Sequence, residues 1–331
     1  MIRIFYITRA NLGLRRAHTA NIAETVKALA RQGAFVEIIG GRILWALVAR
    51  RRDYDVVYVR DHRLLVQACV AKLLLGKKVV YEVHSTHGLL FLRRFLFRIA
   101  DGVVYITRRL KEYYDPQKQK RGVVVHSSGA YLEDFMIQKV REDVRETLGL
   151  PRDGYLVLYA GSTRWYDIEL LMHALAHLPQ DTFLVLVGVK EEEMRSLRST
   201  IKEERSSSRV LSMGRVPREK IPLHLFAADV LVNPLSASLP GSISSKLYEY
   251  LAAGRPIISS RGGANDEVLE DGKNALFADM SPESFAQKII EIRERPDLAL
   301  HLSRQASLDA KRYTWDERAK IILSMIQTIH D

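Results

Sequence analysis

The sequence alternates short apolar runs with segments of helical periodicity along almost its whole length. A first series of strand-like runs covers residues 2–7, 35–39, 56–59, 79–83, 103–106 and 123–125. A second series covers 156–159, 182–187, 210–211, 230–232 and 257–259. Helical patterns lie between several of them, including 19–31, 64–75, 168–177, 191–202, 223–227 and 247–253. Such alternation predicts parallel sheets with crossover helices, and 331 residues exceed a usual single core. We therefore predict two doubly wound α/β domains.

A polar stretch at 138–153 separates the two series and ends in Gly149-Leu150-Pro151. We interpret it as a linker with a short helix. The predicted organisation is a first domain at 1–137, a linker at 138–150, a second domain at 151–310 and a C-terminal helix at 311–331. Because open α/β sheets bind ligands at the carboxyl ends of their strands, we expect the two domains to form a ligand-binding cleft.

Basic residues are concentrated in the first of these domains. Residues 1–137 contain 24 Lys and Arg against 11 Asp and Glu, whereas the remainder contains 26 against 28. This asymmetry indicates a polyanionic partner such as nucleic acid, an anionic membrane or an acidic acceptor. Since no nucleic-acid-binding module is recognisable, we predict that nucleic acid is not the partner.

Two basic stretches of the first domain, 42–52 and 91–99, also contain aromatic and aliphatic residues. This combination suits an anionic membrane surface, with Trp45 and Phe91, Phe95 or Phe97 among the inserting residues. Alternatively, the apolar side chains pack inward and the arginines are solvated. No apolar run is long enough to span a bilayer. The N-terminus reads as a strand, and the single cysteine, Cys69, fits a reducing compartment. We predict a cytoplasmic protein that docks reversibly on the inner face of the membrane.

Residues 239–267 carry the most chemical information. A turn-forming stretch leads to a helix over Lys246–Ala253, which Ser244 or Ser245 can cap and Gly254 ends. A glycine- and serine-rich loop that feeds a helix N-terminus suits a phosphate. Lys246 and Glu249 lie about one turn apart on one helix face. A cation for phosphate and a carboxylate for ribose hydroxyls suit a sugar nucleotide, whereas the plainer alternative is an ordinary capped helix.

A short strand follows this helix. Gly262 and Gly263 come at its carboxyl end, where we expect them to approach the same phosphate. We expect Asp266 and Glu267 to open the next helix.

This segment resembles the donor-binding motif of family-4 retaining glycosyltransferases, which have the GT-B fold. Those proteins carry two glutamates eight positions apart, followed by small residues and G-x-P. Glu249 matches the second glutamate and residues 252–256 match the rest, whereas Gly241 stands where the first would be. The resemblance covers nearly the whole chain. It implies two Rossmann-like domains facing a central cleft, with a C-terminal helix that begins near Trp315 and crosses back onto the first domain.

The resemblance also assigns roles to individual residues. It places His84, at the end of strand 79–83, beside the donor sugar. The family's two diphosphate-binding cations are replaced here, since Ser162 and Tyr166 stand at their positions. We propose that Arg164 and Lys246 take their place.

The remaining assignments concern loops. The resemblance places Lys190 and Arg215 in loops that hold the nucleotide base. It places Gly13, shortly before His18, in a loop that borders the acceptor and approaches the donor phosphates. For each of these residues the alternative is an ordinary surface or loop role.

The predicted function is transfer of a sugar, with retention, from a nucleotide-diphosphate sugar to a glycan or lipid-linked acceptor. No Asp-rich metal site is visible, so we expect Arg164 and Lys246 to replace a divalent ion and no cofactor to be needed. Two alternatives remain open. One is a GT-B nucleotide-sugar epimerase, and the other is a non-catalytic glycosyltransferase-like subunit.

Overall fold

The structure, a computed structural model, describes residues 1–11, 13, 17–86, 90–200, 208–236 and 243–330, with only the backbone at 17, 18, 199 and 200. The chain divides into two compact units. The first comprises Met1–Gly129 together with the C-terminal segment from Tyr313, and the second runs from Ala130 to Arg312.

The first unit is built on six parallel strands. They are β1 (Arg3–Ile7), β2 (Phe35–Ile39), β3 (Val56–Val59), β4 (Lys78–Val83), β5 (Gly102–Tyr105) and β6 (Gly122–Val124). Their order in the sheet is β2-β1-β3-β4-β5-β6. The central strands are almost completely buried and, apart from the ends of β1 and β4 and Glu82 in β4, contain no charged residue, as expected of a parallel sheet covered on both faces.

Among the residues that the structure describes, five α-helices connect these strands. They are α1 (Ala17–Arg31), α2 (Ile43–Ala49), α3 (Leu65–Cys69), α4 (Leu90–Ile99) and α5 (Arg108–Tyr114). The continuous helix predicted at 64–75 is wrong in detail, because α3 is followed by a π-helical turn over Val70–Leu74.

The second unit also contains six parallel strands. They are β7 (Tyr155–Ala160), β8 (Thr182–Val187), β9 (Val210–Gly214), β10 (Val230–Asn233), β11 (Ile257–Ser260) and β12 (Leu276–Ala278). Their order is β12-β11-β10-β7-β8-β9. The accompanying helices are α6 (Arg141–Thr147), α7 (Ile168–Ala174), α8 (Glu191–Thr200), α9 (Ile221–Ala227), α10 (Lys246–Ala253), α11 (Pro282–Glu294) and α12 (Pro296–Ala310).

One predicted helix of the second unit is not formed. Asp266 and Glu267 lie in a single 3₁₀ turn, Asn265–Glu267, and do not open a longer helix. The turn ends at Val268, whose φ of −120° lies outside the helical range, and the chain then leads to β12. Gly254 does end α10 as predicted, with φ of 60°.

The last helix, α13 (Trp315–His330), belongs to the first unit and packs against α1. Its start lies against the backbone of Gly129, where a Cβ atom would come 2.7 Å from the Trp315 nitrogen. Gly129 is therefore required for this close approach. Within the described ranges, no helix has both the length and the apolar character needed to cross a bilayer.

Each sheet contains one point where the direction of strand addition reverses. In the first unit this point lies between β1 and β3, and in the second between β7 and β10. Open α/β sheets bind ligands outside the carboxyl ends of the strands at such a switch point. The loops that follow β1, β3, β7 and β10 are therefore the places where each unit is expected to hold a ligand.

Candidate functional site

The side chain of Lys246 occupies the switch point of the second unit. Lys246 is the first residue of α10, and its Nζ lies 3.8 Å from the ring centre of Tyr159 and 3.3 Å from that of Tyr166. The Nζ atom is buried and has no hydrogen-bond partner among the described residues. Burial holds the pKa of this ammonium well below its ordinary value. The two aromatic faces attract a cation but carry no formal negative charge, so among the described residues the pocket offers this ammonium no ion-pair partner.

Two glycines make room for this lysine. Gly161 follows β7 with φ of 144°, and a Cβ atom there would lie 2.8 Å from the Nζ of Lys246. Gly188, which follows β8 with φ of 93°, approaches Gly161 so closely that its Cβ would lie 2.9 Å from the Gly161 carbonyl oxygen. Both the backbone angles and the spacing therefore require glycine at this edge.

A buried polar network fixes the entry to α10. The Ser244 N–H donates to Asn265 Oδ1 at 3.0 Å, and the Ser244 hydroxyl donates to Asn233 Oδ1 at 3.1 Å. The Tyr166 hydroxyl lies 2.7 Å from Ser244 Oγ. Neither Ser244 nor Ser245 caps the helix through its side chain, which corrects the sequence prediction. Ser244 is used instead to hold Tyr166 against Lys246.

Glu249 lies one turn further along α10, but it does not share contacts with Lys246. Its carboxylate is 29% exposed, and its Oε1 lies 3.9 Å from the Arg218 guanidinium. Burial raises the pKa of Glu249, an effect that Arg218 opposes and Asp134 reinforces. A half-buried carboxylate with one loose partner retains the capacity to accept hydrogen bonds from a ligand.

Arg164 lies in the loop that follows β7, as predicted from the sequence. Its guanidinium is exposed and stacks on the Trp165 ring at 4.9 Å. The neighbouring Asp167 caps α7 by accepting a hydrogen bond from the Leu170 N–H at 2.9 Å. The joint action of Arg164 and Lys246 on a diphosphate stays a prediction.

The other residues predicted for nucleotide binding also follow strands of the second sheet. Lys190 is exposed after β8, and its backbone N–H donates to Glu193 Oε2 at 3.0 Å. Arg215 is exposed after β9. Gly262 and Gly263 follow β11, and Gly263 has φ of 57°. Their roles in nucleotide binding stay predictions.

Part of the predicted acceptor loop and of the donor motif lies outside the described residues. This holds for residues 15 and 16, the His18 side chain and Gly241. Gly13 is described, and its N–H donates to Asn11 Oδ1 at 3.0 Å.

In the first unit, both ring nitrogens of His84 are engaged by protein groups. His84 follows β4, with its Nε2 hydrogen-bonded to Glu82 and its Nδ1 3.3 Å from Nη2 of Arg60. Burial, followed by the Arg60 charge, lowers the pKa of His84 to about 4. In this arrangement the imidazole has no nitrogen left for a sugar hydroxyl, so the donor-sugar contact predicted for His84 requires one of these bonds to open.

Glu82 is the centre of this buried cluster. Its Oε1 forms an ion pair with Nη2 of Arg318 at 2.8 Å, and its other oxygen accepts a hydrogen bond from Tyr58. Arg318 in turn donates to the carbonyl of His126 at 2.6 Å. Burial alone would raise the pKa of Glu82, but Arg318 and His84 hold it well below the usual range.

Comparison with known proteins identifies the chain. The sequence model of the glycosyl transferases group 1 family matches residues 140–309, slightly more than half of the chain. The chain belongs to this family.

Curated relatives of the chain agree with that assignment. A D-inositol 3-phosphate glycosyltransferase of Xylanimonas cellulosilytica is 28% identical over 190 residues, covering 56% of this chain and 45% of the relative. An uncharacterized glycosyltransferase of Methanocaldococcus jannaschii is 25% identical over 305 residues, covering 81% and 74%. An alpha-monoglucosyldiacylglycerol synthase of Acholeplasma laidlawii is 26% identical over 195 residues, covering 57% and 47%. The chain thus spans about half the length of the first and third of these relatives.

Solved structures confirm the predicted GT-B fold. HepE of Anabaena in complex with UDP has a TM-score of 0.82 at 17% identity, covering 99% of this chain and 100% of that one. A glycosyltransferase of Rickettsia africae has a TM-score of 0.82 at 16% identity, covering 99% and 98%. At these identities the likeness establishes the fold.

Sequence reasoning missed several residues of the Lys246 pocket and of the buried cluster around Glu82. Tyr166 was recognised only as a departure from the family's lysine, yet it forms a wall of the Lys246 pocket. Glu82 lies inside an otherwise apolar strand, and a carboxylate is rarely buried without a residue of opposite charge beside it. Its position in the sequence therefore indicated a buried ion pair. Nothing local in the sequence pointed to Arg318 as that partner.

Proposed function

We propose that this protein transfers a sugar from a nucleotide-diphosphate sugar to an acceptor. The observation that carries the proposal is the buried Lys246 ammonium, which lies at the switch point of the second sheet and has no hydrogen-bond acceptor in the part of the chain that the structure describes. A diphosphate supplies the missing acceptors and the missing negative charge. The solved HepE structures contain UDP or UDP-glucose, so a uridine nucleotide is the first donor to test.

In the proposed reaction, the bond between the anomeric carbon and the diphosphate oxygen breaks, and negative charge grows on the leaving diphosphate. Lys246 faces that charge from a fixed, water-poor pocket, which makes it effective in stabilising the transition state. Arg164, in the loop after β7, adds a second cation. Glu249 accepts hydrogen bonds from the ribose hydroxyls.

We further propose that the reaction proceeds with retention at the anomeric carbon and without a divalent metal ion. Retention follows from the resemblance to family-4 enzymes. Metal independence follows from the two cations that take over charge neutralisation at the diphosphate. Turnover should therefore be unchanged by a chelator, and a strict requirement for added Mg²⁺ or Mn²⁺ would contradict this part of the proposal.

The acceptor is proposed to be a glycan or a lipid-linked molecule met at an anionic membrane surface. Helix α3 packs against both α2 and α4 in the first unit. These helices and the π-helical turn that follows α3 expose large apolar side chains, including Trp45 (65% exposed), Phe91 (69%) and Leu74 (77%). These exposed apolar side chains lie in the domain that also has the excess of Lys and Arg. Apolar side chains for insertion and positive charge for attraction together suit an anionic lipid surface. The Acholeplasma laidlawii relative is named for a glucosylated diacylglycerol.

Two residues of the predicted membrane surface have other roles. Phe97 packs against the core, with its ring centre 6.0 Å from that of Tyr114, and is therefore unsuited to insertion. Arg50 forms a bidentate ion pair with Glu37 at 2.6 and 2.7 Å. Trp45, Phe91 and Phe95 remain the candidates for insertion, in a protein that we propose to be cytoplasmic and peripheral.

The deciding experiment measures UDP binding and UDP release from UDP-sugars, with and without candidate acceptors. Wild type is compared with Lys246→Met, which keeps an unbranched apolar stem of similar length but removes the charged amino group. Lys139→Met, at an exposed position of the second unit, is the control. Acceptor-dependent release that is lost only in Lys246→Met supports a transferase. Epimerised sugar without acceptor would indicate an epimerase, and absence of nucleotide binding by a folded protein would indicate a non-catalytic subunit.

A further inference from the structure

Arg60 occupies the switch point of the first sheet. It is the residue that follows β3, next to β1, where the direction of strand addition reverses. Open α/β sheets hold ligands at this point. Arg60 is half-buried.

The contacts of Arg60 leave its charge without a direct partner. Its Nη2 lies 3.3 Å from Nδ1 of His84, and it also interacts with the Tyr6 hydroxyl. Both of these groups are neutral. In the described part of the chain, Arg60 forms no ion pair with a carboxylate within 4.0 Å.

The carboxylate nearest to this group is already neutralised. Glu82 is buried in an ion pair with Arg318 at 2.8 Å, and both side chains are almost completely inaccessible. His84 carries no charge at neutral pH because its pKa is lowered by burial and by Arg60. The cluster of Arg60, Glu82, His84 and Arg318 therefore holds one positive charge in excess, and it is located on Arg60.

The hydrogen bonds also fix the tautomer of His84. An ionised Glu82 only accepts hydrogen bonds, so Nε2 of His84 carries the proton. Nδ1 is then the acceptor for the Arg60 guanidinium. Glu82 thereby orients His84, and His84 orients Arg60.

We propose that Arg60 binds an anionic group of a substrate, a phosphoryl or a carboxylate, and that His84 and Glu82 are positioning residues for it. A guanidinium held in one orientation presents paired N–H donors that match the oxygens of such a group. The inference rests on the proposed function in one respect: the molecule that carries the anionic group is taken to be a substrate of the transferase. The anion site itself is independent of that activity.

The test uses the full chain with ¹⁵N-labelled histidine and follows the ring nitrogens of His84 by NMR. Inorganic phosphate is titrated against potassium chloride at constant ionic strength. The expected result is a saturable shift of the His84 Nδ1 resonance in wild type. The shift should be lost in Arg60→Gln, reduced in Arg60→Lys, and retained in the control Arg63→Gln, which changes an exposed residue nearby.

A second titration with UDP distinguishes the sources of the anion. If UDP produces the same shift and competes with phosphate, the anion belongs to the donor. If phosphate still acts at saturating UDP, the anion belongs to the acceptor. The proposal is overturned if phosphate leaves His84 unchanged in wild type, or shifts it equally in folded Arg60→Gln. Either failure leaves the UDP-release test of the proposed transferase unaffected.

Discussion

The Tyr166 ring faces the ammonium of Lys246 at 3.3 Å. The resemblance to family-4 glycosyltransferases leads us to expect a lysine at the position of Tyr166. Lys246 is the cation proposed to take over the role of that lysine, and Tyr166 lines the pocket of Lys246. The hydroxyl of the same tyrosine is fixed by Ser244. The pocket is therefore organised before a ligand arrives, which is the condition for effective electrostatic stabilisation of a leaving group.

Replacing Lys246 should separate stability from ligand binding. Lys246→Met removes a buried ammonium for which the described residues supply no hydrogen-bond acceptor, so we expect the free protein to become more stable by roughly 1–3 kcal/mol. The same change should weaken UDP binding at least tenfold. Urea unfolding and calorimetry measure the two effects. A variant that loses both stability and binding would show that the lysine is structural.

Binding of the diphosphate should be coupled to proton uptake. Burial lowers the pKa of Lys246 in the free protein, and a bound anion raises it again because it favours the charged form. Affinity for UDP should then fall as the pH rises above the free-state pKa. Calorimetry in buffers of different ionisation enthalpy should detect uptake approaching one proton at high pH, and none in Lys246→Met. Equal heats in all buffers would argue against this coupling.

Glu249 should contribute to affinity through the ribose. Glu249→Ala should weaken UDP binding by roughly 1–3 kcal/mol, the scale for charge-assisted hydrogen bonds. A nucleotide that lacks ribose hydroxyls should bind wild type and variant alike. Glu294→Ala, at an exposed position of α11, provides the control. If UDP affinity is unchanged in folded Glu249→Ala, Glu249 does not contact the ribose.

Acid should destabilise the first unit through His84. The folded-state pKa is about 4, below the value of 6.5 for an unperturbed histidine, so the unfolded chain binds the proton more tightly. The stability due to neutral His84 is present above pH 6.5 and is lost as the pH falls towards 4. Between pH 7 and 5 the loss should be roughly 2 kcal/mol. Urea unfolding at both values should reveal it, with a smaller pH dependence in His84→Gln.

The basic surface of the first unit should bind anionic vesicles. Each arginine near the surface contributes about 1 kcal/mol, an attraction that salt screens. Co-sedimentation should increase with anionic lipid content and decrease with salt. It should weaken in Trp45→Ser and Phe91→Ser, but not in Leu300→Ser, which changes an exposed residue of the second unit. If the protein does not bind anionic vesicles at low salt, the basic surface of the first unit serves a partner other than the membrane.

The strands and helix α10 could be predicted from the sequence because the patterns that indicate them involve only residues close together in the chain. The apolar runs, the Gly254 helix stop and the position of Lys246 depend on neighbouring residues only. The contacts of Lys246 with Tyr159 and Tyr166 depend on how three separate segments meet at the sheet edge. The spacing of Lys246 and Glu249 along the helix predicted that they share one face. Tertiary packing instead places Lys246 against two tyrosine rings and Glu249 near Arg218.

The ion pair between Glu82 and Arg318 joins a strand near the start of the chain to a helix near its end. During synthesis, residues 1–129 leave the ribosome long before residue 318 is added. Until then, the central strand β4 contains a carboxylate whose buried counter-ion does not yet exist. The second unit, which lies between these two segments in the sequence, is synthesised before Arg318 is added. The first unit therefore cannot form this ion pair until nearly the whole chain has been translated.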